Sequence, residues 1–385
     1  MRLTVPQGEF KLNRSPFGDP PNLQAWDAAD EYLLDYLDSE CRPSAGMSVL
    51  VLNDAFGALA CALSSLRPDV VSDSYLSQQA TRFNFARNDL PETAATLMNS
   101  LEPLVKRYDL VLIKVPKTLA FLEDQLIRLR PCLTASSRVI LAGMVKNLPA
   151  SVWALAERLL GPTATSPARK KARLIFVKPD LAKPAPPNPY PTGYTLENTR
   201  YWISNHANVF SREKLDIGTR LFLQQLPRST EYRDIVDLGC GNGVVGLLAA
   251  ERNPAATVHF VDESYMAVAS ARDNFSRAFG GQRVATFTVG DGLCDFQPES
   301  ADLVLCNPPF HQQHAVSDRI ACEMLKQSWK VLRNRGELWV IGNRHLHYYR
   351  HLDRLFGAHR IVASDPKFVV LKAKKEKRLK QTPLF

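Results

Sequence analysis

The sequence predicts an α/β protein in two tandem halves, each an open sheet of one design, with the chemistry kept only in the second. Three observations carry this expectation. Apolar runs ending abruptly in turn-forming or acidic residues recur between positions 235 and 310, a weaker set in the same order spans 49 to 116, and a proline-rich stretch separates the two sets. Strands buried on both faces read as such near-continuous apolar runs, and open α/β sheets bind ligands where those strands end.

In the first half, Val49-Leu50-Val51-Leu52 is a strand followed by Asn53-Asp54-Ala55-Phe56-Gly57 and a small-residue helix start at Ala58. Val70-Val71-Ser72-Asp73-Ser74 is the second strand, with Asp73 at its tip, and Asp109-Leu110-Val111-Leu112-Ile113-Lys114-Val115-Pro116 is a later one closed by proline. These runs parallel three in the second half. Thirty-six positions separate Asp73 from Asp109 and 40 separate Asp262 from Asp302, the spacing of one fold used twice. In this copy Phe56 obstructs the space a ligand would need, and Lys114 stands where the second copy has Asn307. An ammonium only donates, so it cannot accept an amine's hydrogens. Residues 1–178 are therefore expected to form a degenerate, non-catalytic domain, serving as structural support or, through Lys114, Lys117, Arg128 and Arg130, positioning a polyanion.

Lys178 to Pro191 holds six prolines in fourteen residues. Proline fixes φ and removes donors, so residues 179–191 read as an extended, semi-rigid linker. A cleft between the two halves is expected to take a nucleic-acid strand.

The second half opens its chemistry at Ile235-Val236-Asp237-Leu238-Gly239-Cys240-Gly241-Asn242-Gly243-Val244-Val245-Gly246, a strand, a glycine-rich turn and a helix start. Glycine lets backbone approach a ligand without a Cβ in the way. Gly241, Gly243 and Gly246 also satisfy the dinucleotide spacing Gly-x-Gly-x-x-Gly, so a nicotinamide cofactor has to be weighed. Asp237 beside the turn suits a cationic amino-acid end, which S-adenosylmethionine has and a nicotinamide dinucleotide lacks. Asp262 ends the next strand, where a carboxylate accepts from both ribose hydroxyls, and Asp291 after Thr288-Val289-Gly290 is placed for an adenine amino group. Singly, each acid also reads as a helix cap or turn residue.

The most informative stretch is Ala301-Asp302-Leu303-Val304-Leu305-Cys306-Asn307-Pro308-Pro309-Phe310. Two prolines cannot continue the strand, so Asn307 and the carbonyl of Pro308 are left at its carboxyl end. There a planar exocyclic amine can donate to the Asn307 side-chain oxygen and to the Pro308 carbonyl while Phe310 stacks on the ring. Asn-Pro alone also starts ordinary turns. An upstream methyl-donor turn decides between the two, and the amine-binding tetrapeptide has no role in hydride transfer.

On these residues, positions 192–373 resemble a Rossmann-type S-adenosylmethionine-dependent methyltransferase with the Asn-Pro-Pro-Phe signature of amino-group methylases. Asn205-His206-Ala207-Asn208-Val209-Phe210-Ser211-Arg212 with Leu215-Asp216-Ile217-Gly218-Thr219-Arg220 is similar to the bacterial ribosomal RNA guanine-N2 methyltransferases. The resemblance implies two tandem Rossmann-like domains, S-adenosyl-L-methionine as cofactor, and Phe210, Asp216 and Thr219 in a donor pocket with Asp237, Gly239, Gly241, Gly243, Asp262, Asp291 and Asn307. It further implies a guanine N2 amine as the acceptor, with Asn307, Pro308 and Phe310 as the catalytic corner. The wording Asn307-Pro308-Pro309-Phe310-His311-Gln312-Gln313-His314 and the chain layout are closest to the large-subunit (23S) branch, with 16S ribosomal RNA the alternative and protein-free or early-assembly RNA the implied form. A catalytically idle RNA-binding or chaperone protein is the reading from another class, and the intact Asp237, Asp262, Asp291 and Asn307 speak against it.

Composition bounds the rest. The 385 residues suffice for two cores, and 45% hydrophobic with 23% charged residues is ordinary for globular protein. No apolar run reaches a membrane span and no apolar leader opens the chain, so a cytoplasmic, membrane-free monomer is expected. Seven scattered cysteines without Cys-x-x-Cys pairs argue against disulfides or structural zinc. Cys240 and Cys306 read as small packing residues rather than nucleophiles. His311 and His314 lack a third ligand, so they are expected in a substrate-facing loop with no metal. A net charge of +9 suits a polyanionic partner, and Lys372, Lys374, Lys375, Lys377, Arg378 and Lys380 mark a basic tail over 374–385 for phosphate contact.

Overall fold

The computed structural model describes residues 1–14, 23–182, 184–309 and 314–376, the side chains of 314–317 excepted. The chain divides into two compact units, the first ending at Tyr190 and the second starting at Pro191. The first contains hairpin β1 (Arg2–Val5) and β2 (Gly8–Lys11), helix α1 (Ala28–Tyr36), β3 (Val49–Leu52), α2 (Ala58–Ala62), β4 (Asp69–Ser72), α3 (Tyr75–Arg87), β5 (Thr96–Asn99), β6 (Leu110–Lys114), α4 (Leu119–Leu129), β7 (Arg138–Met144), α5 (Ala150–Leu159), β8 (Thr163–Thr165) and β9 (Ala172–Val177).

The second contains hairpin β10 (Thr192–Thr195) and β11 (Trp202–Asn205), α6 (Ile217–Gln225), β12 (Asp234–Leu238), α7 (Val244–Arg252), β13 (Thr257–Asp262), α8 (Tyr265–Phe279), β14 (Ala285–Val289), β15 (Ala301–Cys306), α9 (His314–Val331), β16 (Leu332–Asn343), α10 (Tyr348–Phe356), β17 (Arg360–Ser364) and β18 (Phe368–Lys374).

The duplication is visible in the topology. The seven-stranded sheets are ordered β5-β4-β3-β6-β7-β9-β8 and β14-β13-β12-β15-β16-β18-β17, the same permutation twice. In each sheet the first four pairings are parallel and the last two antiparallel, so that only β9 and β18 run against the other six strands of their sheets. Each sheet is buried on both faces. In β15, Leu303 and Leu305 enter one core cluster while Val304 and Cys306 enter the other, the alternation a pleated strand imposes.

A side-chain brace is repeated as well. Asn274 of α8 holds the Ser204 backbone through both amide atoms and donates to the Asn242 carbonyl at 2.9 Å. Asn84 of α3 does the same for Asn13 and the Phe56 carbonyl at 2.8 Å.

Three expectations need correcting. In strand register, Val71 pairs with Leu52 as Val261 pairs with Leu238, so Ser72, not Asp73, occupies the place of Asp262. Asp73 is buried and accepts from Ser100 at 2.6 Å. The proline-rich segment, expected as an extended, semi-rigid linker over 179–191, belongs through Tyr190 to the first unit and is fixed to α4, Asn188 donating to Asp124 at 2.6 Å and the Tyr190 hydroxyl to Glu123 at 2.8 Å. Finally, β18 runs to Lys374, Lys372 pairs with Glu337 at 2.8 Å, and Lys375 is buried on the Leu332 carbonyl, so these two lysines are structural. Lys377, Arg378 and Lys380 lie outside the described residues.

Candidate active site

The carboxyl ends of β12, β13 and β15 converge in the second unit. After β12 the chain turns sharply, the amides of Gly239 and Cys240 both donating to the Val261 carbonyl at 2.8 and 3.0 Å, which stitches the turn to β13. Gly243 starts α7 with φ +80, and a Cβ there would meet Ala271 at 2.8 Å, so packing against α8 demands glycine. Gly241 differs. A Cβ on it would meet nothing within 4 Å, so the positive φ of +53 and an open space beside the backbone are what glycine preserves.

Asp262 borders that space. Its Oδ2 accepts from the Gly241 amide at 2.9 Å and its Oδ1 from Ser264 at 3.0 Å, fixing a half-exposed carboxylate at the mouth of the turn. Asp237, expected to meet a cationic ligand end, lies buried beneath the turn with Oδ2 accepting from the Gly246 amide at 2.7 Å. Burial pushes its carboxyl up to about 8, with Asp262 adding repulsion. Asp291 follows β14, half-buried, its carboxyl raised by burial and by Glu323 and Asp295. Phe210 is 54% exposed on the loop before α6. Bare backbone at Gly241 with open space beside it, and a fixed carboxylate at Asp262, fit a sulfonium donor with a ribose. Asp237, Gly239 and Gly243 shape the turn.

The acceptor corner is built from α6 and β15. Asp216 caps α6, its Oδ2 accepting from the Thr219 amide at 2.8 Å and hydroxyl at 3.3 Å. The same hydroxyl accepts from Asn307 Nδ2 at 3.0 Å. That bond spends the amide's donor end and leaves Oδ1 of Asn307 buried without a partner. A buried carbonyl oxygen without a donor costs roughly 1–3 kcal/mol, so the fold holds an acceptor ready for a hydrogen it does not supply. Pro308 is buried next to it, and Phe310, His311, Gln312 and Gln313 lie outside the described residues, as does the side chain of His314. Asp216 and Thr219, placed by resemblance in a donor pocket, are thus joined to the acceptor corner. Cys240 and Cys306 are buried, and burial raises both thiols far from reactivity.

Sequence reasoning missed Asn274, whose only signal is its repetition at Asn84. It also missed the link from Asn242 to Asn205 at 2.9 Å, which ties the glycine turn to β11.

The first unit has the same corner with different chemistry. Lys114 follows the register of Asn307, and its ammonium donates to Asp27 at 2.7 Å and Asp30 at 2.6 Å, the positions of Asp216 and Thr219 at the start of α1. Asp54 fills the turn, accepting from Gly57, Ala58 and Ala60. Of the cations expected to meet phosphate, Lys114 is spent in this triad, Arg128 on the carbonyls of Ser100 and Glu102, and buried Arg130 on those of Leu159 and Asp180. Lys117 is exposed.

Residues 1–181 match the RLMG N-terminal domain and residues 200–372 the Methyltransferase small domain. Proteins named ribosomal RNA large subunit methyltransferase G from Streptomyces griseus and Pseudomonas paraeruginosa are 49% and 51% identical to the chain, each alignment covering 97% of it and 99% of the relative. The chain belongs to the ribosomal RNA large subunit methyltransferase G family. The relative from Ectopseudomonas mendocina is 50% identical over the same shares. In fold, the chain is similar to the T. thermophilus 16S rRNA N2 methyltransferase RsmC, solved with AdoMet and guanosine, at a TM-score of 0.76, 23% identity and 98% coverage of both chains. No helix among the described residues is long and apolar enough to cross a membrane.

Proposed function

We propose that the second unit methylates the exocyclic N2 amine of a guanine in large-subunit (23S) ribosomal RNA, with S-adenosyl-L-methionine as methyl donor. The observation that carries this reading is the buried, unpartnered Oδ1 of Asn307, held at the strand end beside a glycine turn that leaves open space at Gly241. The names of the family relatives supply the ribosomal RNA and the subunit.

Bound S-adenosylmethionine supplies an electrophilic methyl on a sulfonium. The chain's own residues do the rest. Guanine leaves its stack to enter the pocket, as enzymes working on a base require. Asn307 Oδ1 and the Pro308 carbonyl each accept one hydrogen of the amine, which aims the nitrogen lone pair along the transfer path. Phe310 stacks on the ring. Asp262 holds the ribose hydroxyls and Asp291 the adenine amino group, while Asp237 anchors the turn from below. The methylated ammonium is a strong acid and loses its proton after transfer, so no covalent intermediate on Cys240 or Cys306 is needed. The first unit lacks an amine acceptor at Lys114 and acts as a non-catalytic domain, and the enzyme works as a monomer on protein-free or early-assembly RNA.

Incubating full-length protein with methyl-labelled donor and separate 16S and 23S transcripts, then mapping the modified nucleoside, tests the reading. Label in N2-methylguanosine of 23S RNA is expected, and Asn307→Ala should lower turnover about a hundred- to thousandfold with donor affinity intact. Label in 16S RNA would move the subunit, and label in another base or none would overturn the reaction.

A further inference from the structure

Among the described residues of the second unit, two side-chain amide oxygens are buried without a partner, those of Asn307 and Asn343. The first is the amine acceptor of the reading above, on which the following rests. The second ends β16, the parallel neighbour of β15. Cys306 pairs with Val340, so Asn307 stands level with Ile341 and Asn343 two residues farther along. Strand rise and separation put the two Cα atoms about 8 Å apart.

They share a face. Leu305 and Ile341 enter the same core cluster, and Asn307 and Asn343 each follow two residues later in the pleat. Phe368, the cross-strand partner of Asn343, belongs to that cluster too. One helix start covers both asparagines' neighbourhood, because Thr219 bonds Asn307 while Gly218 lies so close to Phe368 that a Cβ would sit 3.0 Å from its ring.

The first unit supplies a comparison within the same chain. Ile113 pairs with Leu141 as Cys306 pairs with Val340, so Met144 holds the place of Asn343 and Lys114 that of Asn307. Both acceptors are absent together in the copy that has lost the chemistry.

We propose that Asn343 is a specificity-determining residue whose Oδ1 accepts the ring N1–H of the target guanine. Guanine presents donors at N1 and N2 side by side, and two orphaned acceptors on adjacent strands complement that edge. Adenine and cytosine carry a lone pair at the ring nitrogen beside their amine, which would face the Asn343 oxygen and repel it. Leaving such a buried group unpaired costs about ten- to a hundredfold in selectivity.

The test uses full-length protein and a ribosomal RNA transcript ligated to carry either guanine or 2-aminopurine at the mapped position. 2-Aminopurine keeps the amine and replaces N1–H with a lone pair. Wild type is expected to favour guanine in kcat/KM, Asn343→Met to lower that preference at least tenfold mainly by slowing guanine, and Asn343→Asp, which still accepts, to retain it. Donor affinity checks that each variant is folded. If Asn343→Met keeps the wild-type preference, or wild type methylates both bases alike, the role of Asn343 is refuted while guanine methylation stands. If wild type modifies no guanine at all, the underlying reading fails and this one with it.

Discussion

Replacing Thr219 by Val keeps the shape of the side chain and removes only the hydroxyl that accepts from Asn307 Nδ2 at 3.0 Å and donates to Asp216 at 3.3 Å. The amide then has no partner at its donor end. An unpaired buried N–H costs about 1–3 kcal/mol, and the side chain is free to rotate and recover that energy elsewhere. Rotation takes Oδ1 off the line along which it must receive the amine, and a misplacement of about 1 Å is worth roughly a hundredfold in rate. With about 1.4 kcal/mol per factor of ten, kcat should fall about 10- to 100-fold. Steady-state methyl transfer to ribosomal RNA and donor binding by calorimetry separate this from a donor-pocket role. The relay predicts a loss in kcat with donor affinity within about twofold, and Thr219→Ser, which keeps the hydroxyl, should recover most of it. A Thr219→Val enzyme with normal kcat, or one whose defect lies wholly in donor affinity, would refute the relay.

Three further outcomes follow from the geometry. Lys114→Met should destabilise the first unit by about 3–5 kcal/mol, because buried Asp30 and the partly buried Asp27 lose their shared cation, yet leave donor affinity of the folded protein unchanged; denaturant unfolding and calorimetry read the two effects apart. Gly241→Ala should weaken donor binding more than it lowers stability, since its Cβ enters the open space, whereas Gly243→Ala should chiefly destabilise through its clash with Ala271. Asp237 carries a carboxyl raised by burial to about 8 from an ordinary 3.8, so the folded donor-free protein holds a proton there that the unfolded chain has lost. That contribution is fully present below about pH 4 and is lost as pH rises through 8, by up to about 1.4 kcal/mol per pH unit; an Asp237→Asn variant whose stability runs parallel to wild type between pH 5 and 8 would contradict it.

How much of this was legible in the sequence depends on whether the signal is local. The strand at 301–306 and its proline stop are local, as are the glycine turn and Asp262, and each stands where its residues place it. The duplication was readable from three run-and-turn pairs, although Ser72 could be told from Asp73 only by strand pairing, since adjacent polar residues at a strand tip look alike in one dimension. The relay from Asp216 through Thr219 was out of reach because its partner lies 88 positions away. Asn343 follows an ordinary apolar strand and carries no local mark. Its interest arises only from burial without a partner, a property of the folded sheet. The cations of the first unit show the converse. Lys114, Arg128 and Arg130 look like a phosphate surface in the sequence, but carbonyls and carboxylates of their own domain consume them.

The two corners also show why one substitution cannot convert one unit into the other. A lysine placed at 307 would bring its ammonium to a hydroxyl at Thr219 and to the single carboxylate of Asp216, leaving a buried cation half-paired. The first unit meets that need with a second carboxylate, Asp30, at the helix position of Thr219. Conversely, an asparagine at 114 would leave buried Asp30 and partly buried Asp27 as neighbouring acids without a cation. Positions 216, 219 and 307, and their counterparts 27, 30 and 114, are therefore coupled sets. A double variant, Asn307→Lys with Thr219→Asp, should be more stable than Asn307→Lys alone by more than Thr219→Asp changes the wild type, while remaining inactive. Simple additivity of the two substitutions would mean that the corners do not work as units.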